Sequence, residues 1–127
     1  MLLKDRDLSP PTKQRILCIS YDQSLLAARK MLLEKAGFLV TPALGFTEAS
    51  RICRFDPFFD LIVLGHSIPR DEKVALIEML RSSCKAPVLS ISKHNDAPFP
   101  EADFSIESYE GPQALIAAIK SALGSQD

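Results

Sequence analysis

Glycine is scarce in this chain, and absent where a phosphate loop would need it. None of the five glycines falls in "SYDQS" (20–24), the turn after the first apolar run. That turn therefore has no glycine-rich cradle, which argues against nucleotide or flavin binding in the manner of dinucleotide-binding proteins. Cysteine is sparse too: Cys18, Cys53 and Cys84 are odd in number, widely spaced and without a CxxC pair. A disulfide framework is disfavoured and a reducing compartment favoured. Neither sign of charge dominates, with 15 Lys and Arg against 16 Asp and Glu and a formal net charge of −1. The chain carries no electrostatic footprint for nucleic acid or an anionic membrane surface. No apolar run approaches the roughly 20 residues that span a bilayer. The opening "MLLKDRDLSPPTK" is too charged for a signal peptide. What these absences leave is a small cytoplasmic domain.

What is present is a chain of 127 residues, 46% hydrophobic, long enough for one domain with a proper core. Residues 1–14, with Pro10-Pro11, read as a loosely ordered lead-in; 15–124 read as the domain and 125–127 as a tail. Apolar strands are expected at 15–20, 38–40 (closed by Pro42), 60–65, 87–92 and, more weakly, 103–106. Helices are expected between them. The first carries a Leu25, Ala28, Leu32, Ala36 stripe, with Asp22 or Ser24 as N-cap and Gly37 just past its end. The second starts at Thr47 and turns Ala49, Ile52 and Cys53 inward. The third, 71–84, buries Leu76, Ile77, Leu80 and Cys84; the last opens on Pro112 and buries Leu115, Ile119 and Leu123. Strands alternating with amphipathic helices imply parallel βαβ units. One interval breaks the rhythm. Ten residues separate Ser92 from Asp103, and Pro98 and Pro100 among them disfavour a fourth helix, so a loop or single turn is expected.

The stretches "ILCISYDQSLLAARKMLLEKAGF", "ALGFTEA", "FDLIVLGHSIP" and "APVLSIS" resemble, in order, segments of the receiver domain of bacterial response regulators (the CheY-like family). The resemblance covers residues 15–124. It implies an α/β flavodoxin-like three-layer sandwich on a five-stranded parallel sheet of order 2-1-3-4-5, its fourth helix shortened or replaced by a loop. Receivers carry an acidic pair, a phosphoacceptor aspartate, a Thr or Ser and a Lys at the strand ends, and a switching aromatic accompanies the hydroxyl. On this chain the acidic pair falls at Ser20 and Tyr21, the acceptor at Gly65, the hydroxyl at Ser92, the aromatic at Phe104 and the lysine at Glu107. Only the hydroxyl and the ring survive.

The departures agree with one another chemically. Phosphoryl transfer needs a carboxylate nucleophile, which Gly65 does not supply. Mg²⁺ is held by carboxylate and phosphate oxygens, and Ser20, Tyr21 and Gly65 offer no carboxylate. Glu107 would repel a phosphoryl group by about 3 kcal/mol at ~5 Å and an effective dielectric near 20. The site reads as dismantled, with no phosphoacceptor, no metal and no cofactor. Gly65 stands there because nothing is phosphorylated, or because something must approach the backbone; the first is favoured.

Asp22, one position past the acidic pair, is an alternative carboxylate in a shifted register, but an N-cap role is favoured. Asp60, at the far edge of the sheet, reads as a solvated strand end. His66 and His94 follow the third and fourth strands, yet no ligand spacing supports a metal, and modification of Ser67 or His66 has no machinery in view. The cysteines read as buried hydrophobes. Tyr21 is expected to fill the vacated pocket with its ring. No nucleophile–base pair points to an enzyme. The expected function is therefore a pseudo-receiver of two-component phosphorelay signalling, acting by protein–protein interaction without aspartyl phosphorylation. Its partner would be a kinase, a regulator, an effector or a second copy in a homodimer, with Phe99 as an exposed anchor. The alternatives are a phosphorylatable receiver using Asp22, and a small-ligand or oligomerisation module at the vacated strand edge.

Overall fold

The runs 15–20, 61–64 and 88–92 are too evenly apolar to have a wet face, and each forms a strand covered on both sides. The computed structural model describes residues 13–93 and 99–124. Along them run β1 (Arg15–Ser20), α1 (Gln23–Lys35), β2 (Leu39–Leu44), α2 (Gly45–Phe55), β3 (Leu61–Leu64), α3 (Arg70–Ser83), β4 (Val88–Ser92), β5 (Phe104–Glu107) and α4 (Pro112–Gly124). The strands form one sheet in the order β2-β1-β3-β4-β5, and every pairing is parallel. This is the expected flavodoxin-like arrangement.

Alternation along the strands sorts the core into two layers. Leu17, Ile19, Ile62 and Leu64 pack with Ala49 and Cys53 of α2 and Leu76, Ile77 and Leu80 of α3. Ile16, Cys18, Leu61, Val63, Leu89 and Ile91 pack on the other face with Leu26 and Leu33 of α1 and Leu115 and Ile119 of α4. Among the described residues no helix joins β4 to β5; His94 and Pro98 lie outside those residues.

Several local expectations are corrected. β2 does not stop at Pro42 but runs through it, paired with Cys18. It is an edge strand, where a missing N–H is tolerated. α2 begins at Gly45, not Thr47, because Glu48 Oε1 accepts the Leu44 N–H at 2.6 Å and closes the first turn earlier. The buried stripe of α1 is Leu26 and Leu33; Ala28, on the expected stripe, is exposed. Phe99, expected to project as an anchor, is only 2% exposed and belongs to the core under α3. Other expectations hold. Asp22 caps α1 by accepting the Leu25 N–H at 3.1 Å, and Gly37 follows the helix with φ of +104°.

All three cysteines are free and buried. Burial pushes the Cys18 thiol up to about 11. Cys53 is raised as well, first by burial and then by Cys84, whose sulfur lies 3.0 Å away. Neutral thiols are poor nucleophiles. A chromogenic thiol reagent at pH 8 should therefore titrate the cysteines only at the rate of unfolding. A burst of reaction in the native state would show the burial to be wrong.

Candidate functional site

Parallel strands bring their C-terminal ends to one edge, and here that edge collects Ser20, Gly65, Ser92 and Glu107. Gly65 leaves β3 with its N–H donated to the Ile19 carbonyl at 2.9 Å, which ties the β3 exit to β1. Ser20 is fully buried; its Oγ accepts the Asp22 N–H at 3.0 Å and closes the turn into α1. Ser92 is 8% exposed and pairs with Glu107 across β4 and β5.

A side chain does approach Gly65 closely, the less favoured of the two readings of that glycine. A Cβ built there would lie 2.8 Å from Arg29 Nη1, 3.3 Å from the Ile19 carbonyl oxygen and 3.5 Å from Ser20 Oγ. The guanidinium of α1 thus occupies the space into which a side chain at 65 would grow. Its Nη2 donates to His66 Nδ1 at 2.9 Å. Arginine has no acceptor, so Nδ1 must carry the lone pair and the proton of a neutral His66 sits on Nε2. Burial, followed by the charges of Arg29, Lys93 and Lys73, holds His66 below its ordinary range, against a smaller opposing effect of Asp22. Burial also lowers Arg29, opposed by Cys18 and Asp22.

A second cation enters from the opposite layer. Lys73, in the first turn of α3, is only 5% exposed and donates to Ser90 Oγ and the Ile91 carbonyl, both at 2.8 Å. Its Nζ lies 5.6 Å from the Phe99 ring centre, and the Arg70 guanidinium 5.0 Å from it. Neither Arg29 nor Lys73 was singled out from the sequence, although a signal exists. Arg29 stands three residues after buried Leu26 and four before buried Leu33; Lys73 stands three and four before Leu76 and Ile77. Both occupy apolar stripe positions, where a basic residue calls for an explanation.

The remaining site positions fall as follows. Tyr21 packs partly buried against the α2–α3 layer. Burial, and then the Glu72 carboxylate, push its phenol up to about 12, although its hydroxyl meets no acceptor at hydrogen-bonding geometry. Asp22 is committed to its cap. Glu107 caps the short turn Ser108–Glu110 that leads into α4. Phe104 is the first residue of β5, beside Leu89 and not at this edge, and is 36% exposed. Among the described residues no three His, Cys, Asp or Glu side chains converge as metal ligands, and no helix is long and apolar enough to cross a membrane.

No protein family and no curated protein matches the sequence. Solved structures do match in fold. A response regulator receiver protein from Sinorhizobium medicae WSM419 is 21% identical over 93% of this chain and 100% of its own, with a TM-score of 0.73. A CheY-like receiver domain from Methanospirillum hungatei JF-1 is 22% identical over 91% and 97%, with a TM-score of 0.75. A putative pilus assembly protein from Burkholderia thailandensis E264 is 24% identical over 87% and 98%, with a TM-score of 0.70. With the sheet order and the placement of the strand ends, these likenesses establish that the chain has the fold of a CheY-like response regulator receiver domain.

Proposed function

We propose that this chain is a pseudo-receiver of two-component signalling, a non-enzymatic module that works by binding another protein and not by phosphorylation of an aspartate. The observation that carries the reading is Arg29 lying over Gly65. The place where a receiver needs a carboxylate and a divalent cation holds a guanidinium, with Lys73 and Lys93 near enough to act on His66. A divalent cation would be repelled there. The apolar surface needed for a partner is present elsewhere: Phe55 and Phe58, at the α2–β3 connection, are 84% and 78% exposed.

The test is a ¹H–¹⁵N NMR titration with Mg²⁺ and then beryllofluoride. Amides of Ser20–Asp22, Gly65–Ser67 and Ser92 should show no saturable shift at millimolar concentrations. Gly65→Asp should fold, since the closest atom is the far end of a flexible side chain, and should stay equally silent because its lone carboxylate would pair with Arg29. Saturable shifts in the parent chain would overturn the reading and point to Asp22 as a metal ligand.

A further inference from the structure

Two of the three cysteines are not only buried but held against each other. Cys53 lies in the last turn of α2, and Cys84 caps the C-terminal end of α3. Both thiols are free, and the Cys84 sulfur donates to the Cys53 sulfur at 3.0 Å. A disulfide bond is about 2 Å long, so the two sulfurs stand about 1 Å from bonding distance. We propose that Cys53 and Cys84 form a redox modification site, oxidised by a peroxide to an intramolecular disulfide that ties α2 to α3.

Three features of the fold support the assignment. The first is selectivity. Cys53 and Cys84 share the layer under α2 and α3, whereas Cys18 lies across the sheet in the layer of α1 and α4. The odd count of cysteines thus resolves into one pair and one spectator. The second is preorganisation. Cys53 and Ala49 of α2 already pack in one cluster with Leu76, Ile77, Leu80 and Cys84, so closing the bond orders little that folding has left free. The third is a route. A cavity of about 430 Å³ is lined by Ser83 and Lys85, the two neighbours of Cys84, and by Phe59 from the same core cluster as both thiols. It holds several molecules the size of water, and hydrogen peroxide is little larger.

The chemistry balances with one equivalent of peroxide. The Cys84 thiolate attacks a peroxide oxygen and the O–O bond breaks, leaving a sulfenic acid on Cys84 and a hydroxide that takes up the thiol proton as water. The Cys53 sulfur then attacks the sulfenic sulfur, and its proton leaves with the hydroxyl as a second water. Two thiols are oxidised by two electrons and the peroxide is reduced by two. Apolar burial disfavours a thiolate, so the reaction should take hours and quicken as the pH rises. The new bond would fix the last turn of α2, two residues before exposed Phe55, against the end of α3. It would form whether or not the opposite edge of the sheet binds Mg²⁺.

The experiment treats the reduced full chain with hydrogen peroxide in native buffer at pH 8, then unfolds it, alkylates it with N-ethylmaleimide and weighs it. A single adduct is expected where the untreated chain, with its three free cysteines, takes three. Peptide mapping should join Cys53 to Cys84. The Tm should rise by about 10 °C, as for a bond closing a loop of about 30 residues, and return with dithiothreitol. Cys53→Ala lacks the resolving thiol and should gain oxygen on Cys84 instead of forming the bond; Cys84→Ala should keep both remaining thiols. The readings on the parent chain decide the matter even if neither variant folds. Three adducts after oxidation, a bond to Cys18 or between chains, or a lower Tm would each overturn the site. So would a Cys53–Cys84 bond that forms only in urea, where Cys18 competes.

Discussion

Replacing Phe99 by alanine should destabilise the fold by about 3–4 kcal/mol, the usual cost of emptying a buried aromatic site. For a domain of this size 3 kcal/mol corresponds to a fall in Tm of about 10 °C. The ring is 2% exposed, packs in the layer that holds Leu76, Ile77 and Leu80, and is the first described residue after the segment that follows β4. Its removal opens a cavity and takes the apolar support from beneath Arg70 and Lys73. Phe99→Leu should restore more than half of the loss, since it refills most of the volume. Thermal unfolding followed by circular dichroism measures both. A Phe99→Ala variant that melts within about 2 °C of the parent would show the ring to be on the surface, where substitutions cost little. It would return Phe99 to the role of an exposed partner anchor.

The same residue shows where the sequence stops being informative. The strands at 15–20, 60–65 and 87–92 were legible because apolar runs bounded by turn residues have few alternatives in a short chain. The helices were legible from their spacing, and the sheet order followed from the resemblance once the βα rhythm was seen. Phe99 was misplaced because it stands between two prolines in a polar stretch, and nothing local says that its ring is buried with Leu76, Ile77 and Leu80 of α3. Pro42 misled in the opposite direction: it breaks central strands but not an edge, and edge position is a property of the sheet. In α1 two stripes compete, Leu25–Leu32 and Leu26–Leu33, and only the facing sheet decides between them.

The candidate site was half legible. Strand ends place Ser20, Gly65, Ser92 and Glu107 together, and that much follows from topology. What occupies the space was hidden, because Arg29 and Lys73 reach the edge from two helices in different layers, and neither neighbours the site in sequence.

Lys73 should prove as sensitive as Phe99, and two substitutions separate its parts. Lys73→Ala removes the stem packed beneath Phe99 and the donor to Ser90 Oγ and the Ile91 carbonyl. Leaving a buried carbonyl without its bond costs about 1–3 kcal/mol, and the lost stem adds to that, so about 3 kcal/mol in total is expected. Lys73→Met keeps most of the stem and discards the charge. The unmet carbonyl still costs, but the desolvation of a buried ammonium is relieved, so the loss should be about 1 kcal/mol. Urea denaturation at pH 7 gives both values. Equal losses would mean that the ammonium carries the whole effect, and no loss in either variant would mean that the side chain is not seated in the core.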